Sequence, residues 1–120
     1  MTIKEINSLK KALMSNMKDY IKFFKKDAGV KPYSSADVKK CGIILDDYLS
    51  ILATNPTDNG ILSQVETTVK QLNELNEQCD YNLIETDERE QLCSIIIEAA
   101  RLCGYQFSDD DDITAEWRDW

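Results

Sequence analysis

The sequence predicts an all-α fold. We expect an antiparallel bundle of four main helices plus a short C-terminal helix, in a single domain over residues 1–120. Three observations carry this. Apolar residues recur at steps of three and four in successive stretches, the spacing of one helix face. The stretches open on recognisable helix starts. Only four glycines and two prolines punctuate the chain, which suits long helices on short loops, and short loops favour neighbours running up and down.

The pattern is densest in Leu92–Cys103, where nine of twelve residues are apolar. Its polar residues, Ser94, Glu98 and Arg101, are spaced four and then three apart, and Asp87 and Gln91 extend the same stripe backwards. A helix with one thin polar edge needs cover on its other sides, so this segment is expected to be the central and most buried helix. The isoleucines at 95–97 would also suit a strand, but the length and the Ala-Ala-Arg-Leu continuation favour a helix. Thr86 is its expected cap, with acids following where the helix dipole favours them, and Gly104 closes it.

The other helices follow in order. Thr2-Ile-Lys-Glu5 has the form of a capping box, and a helix then runs to about Lys26. Its apolar positions are Ile3, Ile6, Leu9, Leu13, Met14, Met17, Tyr20, Ile21 and Phe24, opposite a lysine stripe of Lys4, Lys11, Lys18, Lys22 and Lys25. Ala28-Gly29 and Pro32 end it. Ser34 or Ser35 caps a second helix carrying Val38, Cys41, Leu45, Tyr48 and Leu52, widened by Ile44, Leu49 and Ile51 and stopped near Thr54 by Asn55-Pro56. A third starts near Asp58 or Asn59, with a heptad-like seam of Ile61, Val65, Thr68, Leu72, Leu75 and Cys79. Leu83 and Ile84 enter the core ahead of the fourth helix. An aspartate at 111 or 112 caps the short last helix, whose Ile113, Trp117 and Trp120 share a face.

Charge is divided unevenly. Residues 1–40 hold ten lysines against four acids, a net +6, while residues 41–120 hold four basic residues against eighteen acids, a net −14. Such asymmetry marks either a polyanion-binding arm or two parts that attract each other. The overall −8 disfavours nucleic acid as a partner. The lysine stripe with Phe23 and Phe24 has the pattern of a membrane-surface helix, but the acids elsewhere can balance it, and no apolar run approaches a membrane span. The N-terminus lacks a signal-peptide apolar region, so the expected address is cytoplasmic. Cys41, Cys79, Cys93 and Cys103 form no C-x-x-C pair and are expected to be reduced core thiols.

The chain contains no histidine, so Ser-His-acid and Cys-His machinery is missing. No phosphate-binding glycine motif and no nucleophile elbow are present. The Asp109–Asp112 run fails the calcium-loop template, because Ile113 and Ala115 stand where ligand oxygens are needed. We therefore expect no catalytic residue, no metal and no cofactor.

What remains is binding. Trp117 and Trp120 beside acids have the composition of an interaction anchor. The candidate contacts are Asp109, Asp110, Asp111, Asp112, Glu116, Trp117 and Trp120, with Glu85, Asp87, Glu88 and Glu90 as a second group. In size, acidity and lack of catalytic groups the chain resembles small bacterial immunity proteins that neutralise a cognate toxin. Its closing Asp-Asp-Ile-Thr-Ala-Glu-Trp-Arg-Asp-Trp also looks like the tails of small bacterial proteins of that sort. The resemblance implies a non-enzymatic protein that masks a basic protein partner, such as a toxin. The alternative is a homodimeric structural or adaptor bundle joined through the third-helix seam or the tryptophan face. A peripheral membrane binder and a carboxylate-based enzyme are weaker readings.

Overall fold

The computed structural model describes residues 2–27, 33–108 and 110–120, those at 24–27 by their backbone alone. The described residues form four helices and no strand: α1 (Ile3–Asp27), α2 (Ser35–Leu52), α3 (Asp58–Gln78) and α4 (Thr86–Leu102). Ala28, Gly29, Pro32 and Asp109, and the side chains of Phe24 and Lys25, lie outside the described residues.

Local chemistry sets the helix starts. At α1, Thr2 Oγ1 accepts the Glu5 N–H at 3.2 Å while Glu5 Oε1 accepts the Thr2 N–H at 3.3 Å, completing the capping box. Ser34 and Asp37 build the same reciprocal pair at α2. Thr57 caps α3 by accepting the Gly60 N–H. At α4 the cap is Glu85 and not Thr86, which is already the first helical residue. Glu88 selects that boundary, because its carboxylate reaches back to the Glu85 N–H at 3.2 Å.

The ends are equally specific. Gly104 follows α4 with φ +91°, a backbone region that only glycine enters cheaply. After α3, Asp80 and Tyr81 take positive φ, and the buried Asn76 holds the turn: its carbonyl accepts the Tyr81 N–H at 2.8 Å and its Oδ1 accepts the Ile84 N–H at 3.0 Å. That bond directs Leu83 and Ile84, 0% and 6% exposed, into the core.

Each helix buries the stripe its spacing predicts. On α1 these are Ile6, Leu13, Met17 and Ile21, on α2 Val38, Cys41, Leu45, Tyr48 and Leu52, and on α4 Leu92, Ile95, Ile96, Ala99 and Ala100. Burying each of the larger side chains contributes roughly 1.5–3 kcal/mol relative to exposure. The whole α3 seam, from Ile61 to Cys79, is buried inside the chain's own core. Two edge positions depart from expectation: Ile3 is 63% exposed and Ile51 38% exposed, because each lies at the rim of its stripe.

α2 packs on α1, α3 and α4, whereas α4 packs mainly on α1. Among the described residues α4 has the smallest share of exposed positions of the four helices, as expected of the most buried one. Its exposed positions are Thr86, Asp87, Glu90, Ser94 and Leu102. Gly42 permits the close approach of α1 to α2, since a Cβ there would sit 3.3 Å from Met14 Sδ.

Residues 105–108 and 110–120 supply the remaining cover. They lie against α3 through Asn73 and against α4 through Cys93. In place of the expected short helix, residues 113–117 form turns. The Asp112 carboxylate accepts the Thr114 N–H at 2.9 Å, as a capping aspartate would, and the Thr114 carbonyl accepts the Trp117 and Arg118 N–H groups, but the turns go no further.

Candidate functional site

Thr114, 0% exposed, organises the C-terminal segment. Its hydroxyl donates to Asp112 Oδ1 and so has no proton left for its other neighbours. It therefore accepts from Arg118 Nε at 3.2 Å and from the Cys93 thiol at 3.5 Å. Arg118 continues the network, with Nη2 donating to Asp112 Oδ2 at 2.8 Å and Nη1 to the Trp120 carbonyl at 2.9 Å. Its guanidinium lies 5.3 Å from the centroid of the Trp120 ring. Burial alone would raise the Asp112 pKa. The Thr114 hydroxyl and N–H and the Arg118 guanidinium outweigh it and hold the carboxyl below its usual range.

Asn73 on α3 fastens the other side. Its Nδ2 donates to the Trp117 carbonyl at 2.7 Å and its Oδ1 accepts the Asp119 N–H at 3.2 Å. Ile113, Trp117 and Trp120, together with Tyr105 and Phe107, pack half-buried against the core. The tryptophans thus serve the core and keep part of their surface outside it.

A groove of about 510 Å³ opens between this segment and α3, lined by Asn59, Leu62, Ser63, Glu66, Tyr105, Asp112, Ile113, Glu116 and Trp117. Three of its walls are carboxylates, two are aromatic, and none is basic. Asp112 is committed to Thr114 and Arg118. Glu66 pairs with the exposed Lys70 at 2.6 Å. Glu116 is exposed and has no ion-pair partner among the described residues.

The expected contacts therefore separate. Asp112, Glu116 and Trp117 line this groove. Asp110 and Asp111 are exposed on the chain leading into it, and Asp109 lies outside the described residues. Trp120 is turned into the Arg118 network, with Nε1 buried. The second acidic group belongs elsewhere. Asp87 and Glu90 line a different groove with Leu9, Asn16, Gln91 and Ser94, Glu85 is exposed, and Glu88 caps α4. Burial pushes the Glu88 pKa up, and the neighbouring Asp87 and Glu85 add to this against its backbone hydrogen bonds.

Glu66, Tyr105, Thr114 and Asn73 were not among the expected site residues. Thr114 had a readable signal, because an aspartate two residues before a threonine writes an aspartate turn. Asn73 had none, since its partners lie on the far segment, and nothing near Glu66 in the chain marks it as facing that segment.

Other features place limits on chemistry. All four cysteines are free thiols. Burial raises the Cys41 pKa to about 12 and the Cys79 pKa to about 11, and pushes Cys93 and Cys103 up as well. Among the described residues no group of three or more Cys, Asp or Glu is placed to hold a metal ion. No helix of the described residues is long and apolar enough to cross a membrane. Lys4, Lys11, Lys18 and Lys22 of the lysine stripe are exposed, and Lys10 beside it pairs with Asp46 on α2.

A second, more apolar groove of about 530 Å³ lies at the end of the bundle where Ile3, Ile6, Leu49, Leu52, Ala99 and Leu102 meet. Comparison with protein-family models, curated proteins and solved structures found no match to the chain.

Proposed function

We propose that this chain is a non-enzymatic binding protein that masks a basic protein partner, with the groove between α3 and the C-terminal segment as its contact. The observation that carries the reading is the make-up of that groove, which combines carboxylates with half-buried aromatics and has no lining cation. Acids there and at Asp110 and Asp111 attract a cationic surface at long range, and the rings give contact area once it arrives. The net −14 of residues 41–120 supports the same direction. A toxin whose basic cleft binds a polyanion is the partner class that the immunity-protein resemblance suggests, and occupying such a cleft would silence it. In this reading the four helices run antiparallel, supported for α1 and α2 by the Lys10–Asp46 pair, which joins the first half of α1 to the second half of α2.

The test is affinity purification of the tagged chain from its native cells, washed at low and then high salt, followed by kinetics with the captured protein. We expect a stoichiometric basic protein released by salt. Converting Asp110 and Asp111 to Asn and Glu116 to Gln should slow its association and flatten the salt dependence. Unchanged kinetics would remove this groove from the interface.

One observation favours the alternative of a homodimeric bundle: Ile3 and Leu102 stay 63% and 46% exposed on the apolar end groove. The α3 seam is not offered for that role, because it is filled by the chain's own core. Light scattering that shows a monomer at tens of micromolar would end the alternative.

A further inference from the structure

We propose that the groove between α3 and the C-terminal segment is selective for arginine: it receives a guanidinium of the partner, held by Glu116 and Glu66 against the rings of Trp117 and Tyr105. This rests on the basic-partner reading and narrows it to one side-chain chemistry.

The chain itself shows how this surface treats arginine. Arg101 places its guanidinium 4.4 Å from the Phe107 ring centroid, with Nε 3.8 Å from Glu98 Oε2. Arg118 lies 5.3 Å from the Trp120 ring centroid, with Nη2 2.8 Å from Asp112 Oδ2. Each side chain meets an aromatic ring and a carboxylate. The groove repeats those two ingredients, Trp117 and Tyr105 with Glu116 and Glu66, and its lining contains no arginine or lysine. Glu116 has no ion-pair partner among the described residues, and the Glu66–Lys70 pair is an exposed pair along one helix, which is weak and readily shared.

Guanidinium suits this setting better than ammonium. It is planar, so it stacks on a ring while its N–H groups reach a carboxylate in the same plane, and it sheds water more easily. A lysine ammonium is a strongly hydrated point charge that gains from the carboxylates but little from the rings. The unshielded charges around the groove, Asp110 and Asp111 among them, bring in any polycation, so discrimination must come from Trp117, Tyr105 and Glu116 at close range.

The experiment titrates the full chain with length-matched oligo-arginine and oligo-lysine peptides at low salt. Both tryptophans of the chain lie in this segment, so their fluorescence reports binding, and Trp120→Phe leaves Trp117 as sole reporter. We expect the arginine peptide to bind roughly tenfold tighter than the lysine peptide and to perturb Trp117. Glu116→Gln should lower arginine-peptide affinity roughly fivefold, while Glu77→Gln, the same charge change at an exposed α3 position, should lower it less than about twofold. Trp117→Leu should bring the two peptides to similar affinity, with circular dichroism confirming retained helices. Equal affinity for both peptides, or equal effects of Glu116→Gln and Glu77→Gln, would overturn arginine selectivity and leave the basic-partner reading standing. Binding of neither peptide would overturn the inference and also count against that reading.

Discussion

The Tyr48 hydroxyl donates a 2.7 Å hydrogen bond to the carbonyl oxygen of Ile96, tying α2 to α4 through a side chain only 1% exposed. Burial pushes the Tyr48 pKa far above the ordinary tyrosine value, so the hydroxyl remains a donor across the accessible pH range. In Tyr48→Phe the ring still fills its site and only this bond is lost. We expect a loss of about 1 kcal/mol, read as a lower urea midpoint at unchanged slope.

Thr114 presents the opposite case, because its hydroxyl serves three partners. Thr114→Val keeps the shape but strips the donor from Asp112 and the acceptor from Arg118 and Cys93. The expected loss is about 2 kcal/mol, seen first as increased tryptophan exposure. Thr114→Ser retains the hydroxyl and should cost about 1 kcal/mol for the buried methyl. A valine variant as stable as the serine variant would show that packing outweighs the network.

The depressed Asp112 pKa gives a definite pH response. A carboxyl whose folded pKa lies below its unfolded value adds stability at pH above the unfolded value, near 3.8, and loses it as pH falls through the folded pKa. Acid should therefore loosen the C-terminal segment below about pH 4. Asp112→Asn should be destabilised at neutral pH and lose this acid transition. Tryptophan fluorescence during acid titration checks both.

Glu88 titrates with the other sign. Burial raises its folded pKa above the usual 4.5, so its charge costs stability at neutral pH and the cost fades as the group protonates. Glu88→Gln still accepts the Glu85 N–H. It should equal or exceed the parent in stability at pH 7, and the gap should close toward pH 4. Urea melts at the two pH values measure it.

The four thiols offer a simple assay of core integrity. Because burial raises every one of their pKa values, the native protein should react slowly with a disulfide reagent at neutral pH. Guanidinium should release all four at once. A rapid native thiol would mean that one of them lies in an opened site.

How much of this was legible depended on distance along the chain. The Thr2–Glu5 capping pair and the stripes of α1 to α4 involve residues within a few positions of one another, so their spacing alone exposed them, while the choice of Ser34 over Ser35 as the α2 cap came only with its bond to Asp37. The cap of α4 was misplaced by one residue because Thr86 is the better capping type, whereas the reach of Glu88 decided for Glu85. The C-terminal segment was misread as a helix for a related reason. Ile113, Trp117 and Trp120 do carry helical spacing, but Asp112, Thr114 and Arg118 settle its backbone among themselves, and Asn73 holds it from 44 and 46 residues away. No local pattern announces a partner at that separation, which also hid the groove.

The pairing of α1 with α4 bears on how the chain is made. Synthesis delivers α1 first, yet the surface it rests on most is α4, the last helix to emerge. In the interval Leu13, Met17 and Ile21 lack their largest partner surface, although α2 and Tyr33 are already at hand. The nascent chain therefore carries a half-covered apolar helix until α4 is made, the kind of surface that nascent-chain chaperones hold. Its native arrangement closes only when the ribosome has finished α4, so slow decoding of residues 86–102 prolongs the period in which the chain is open to aggregation.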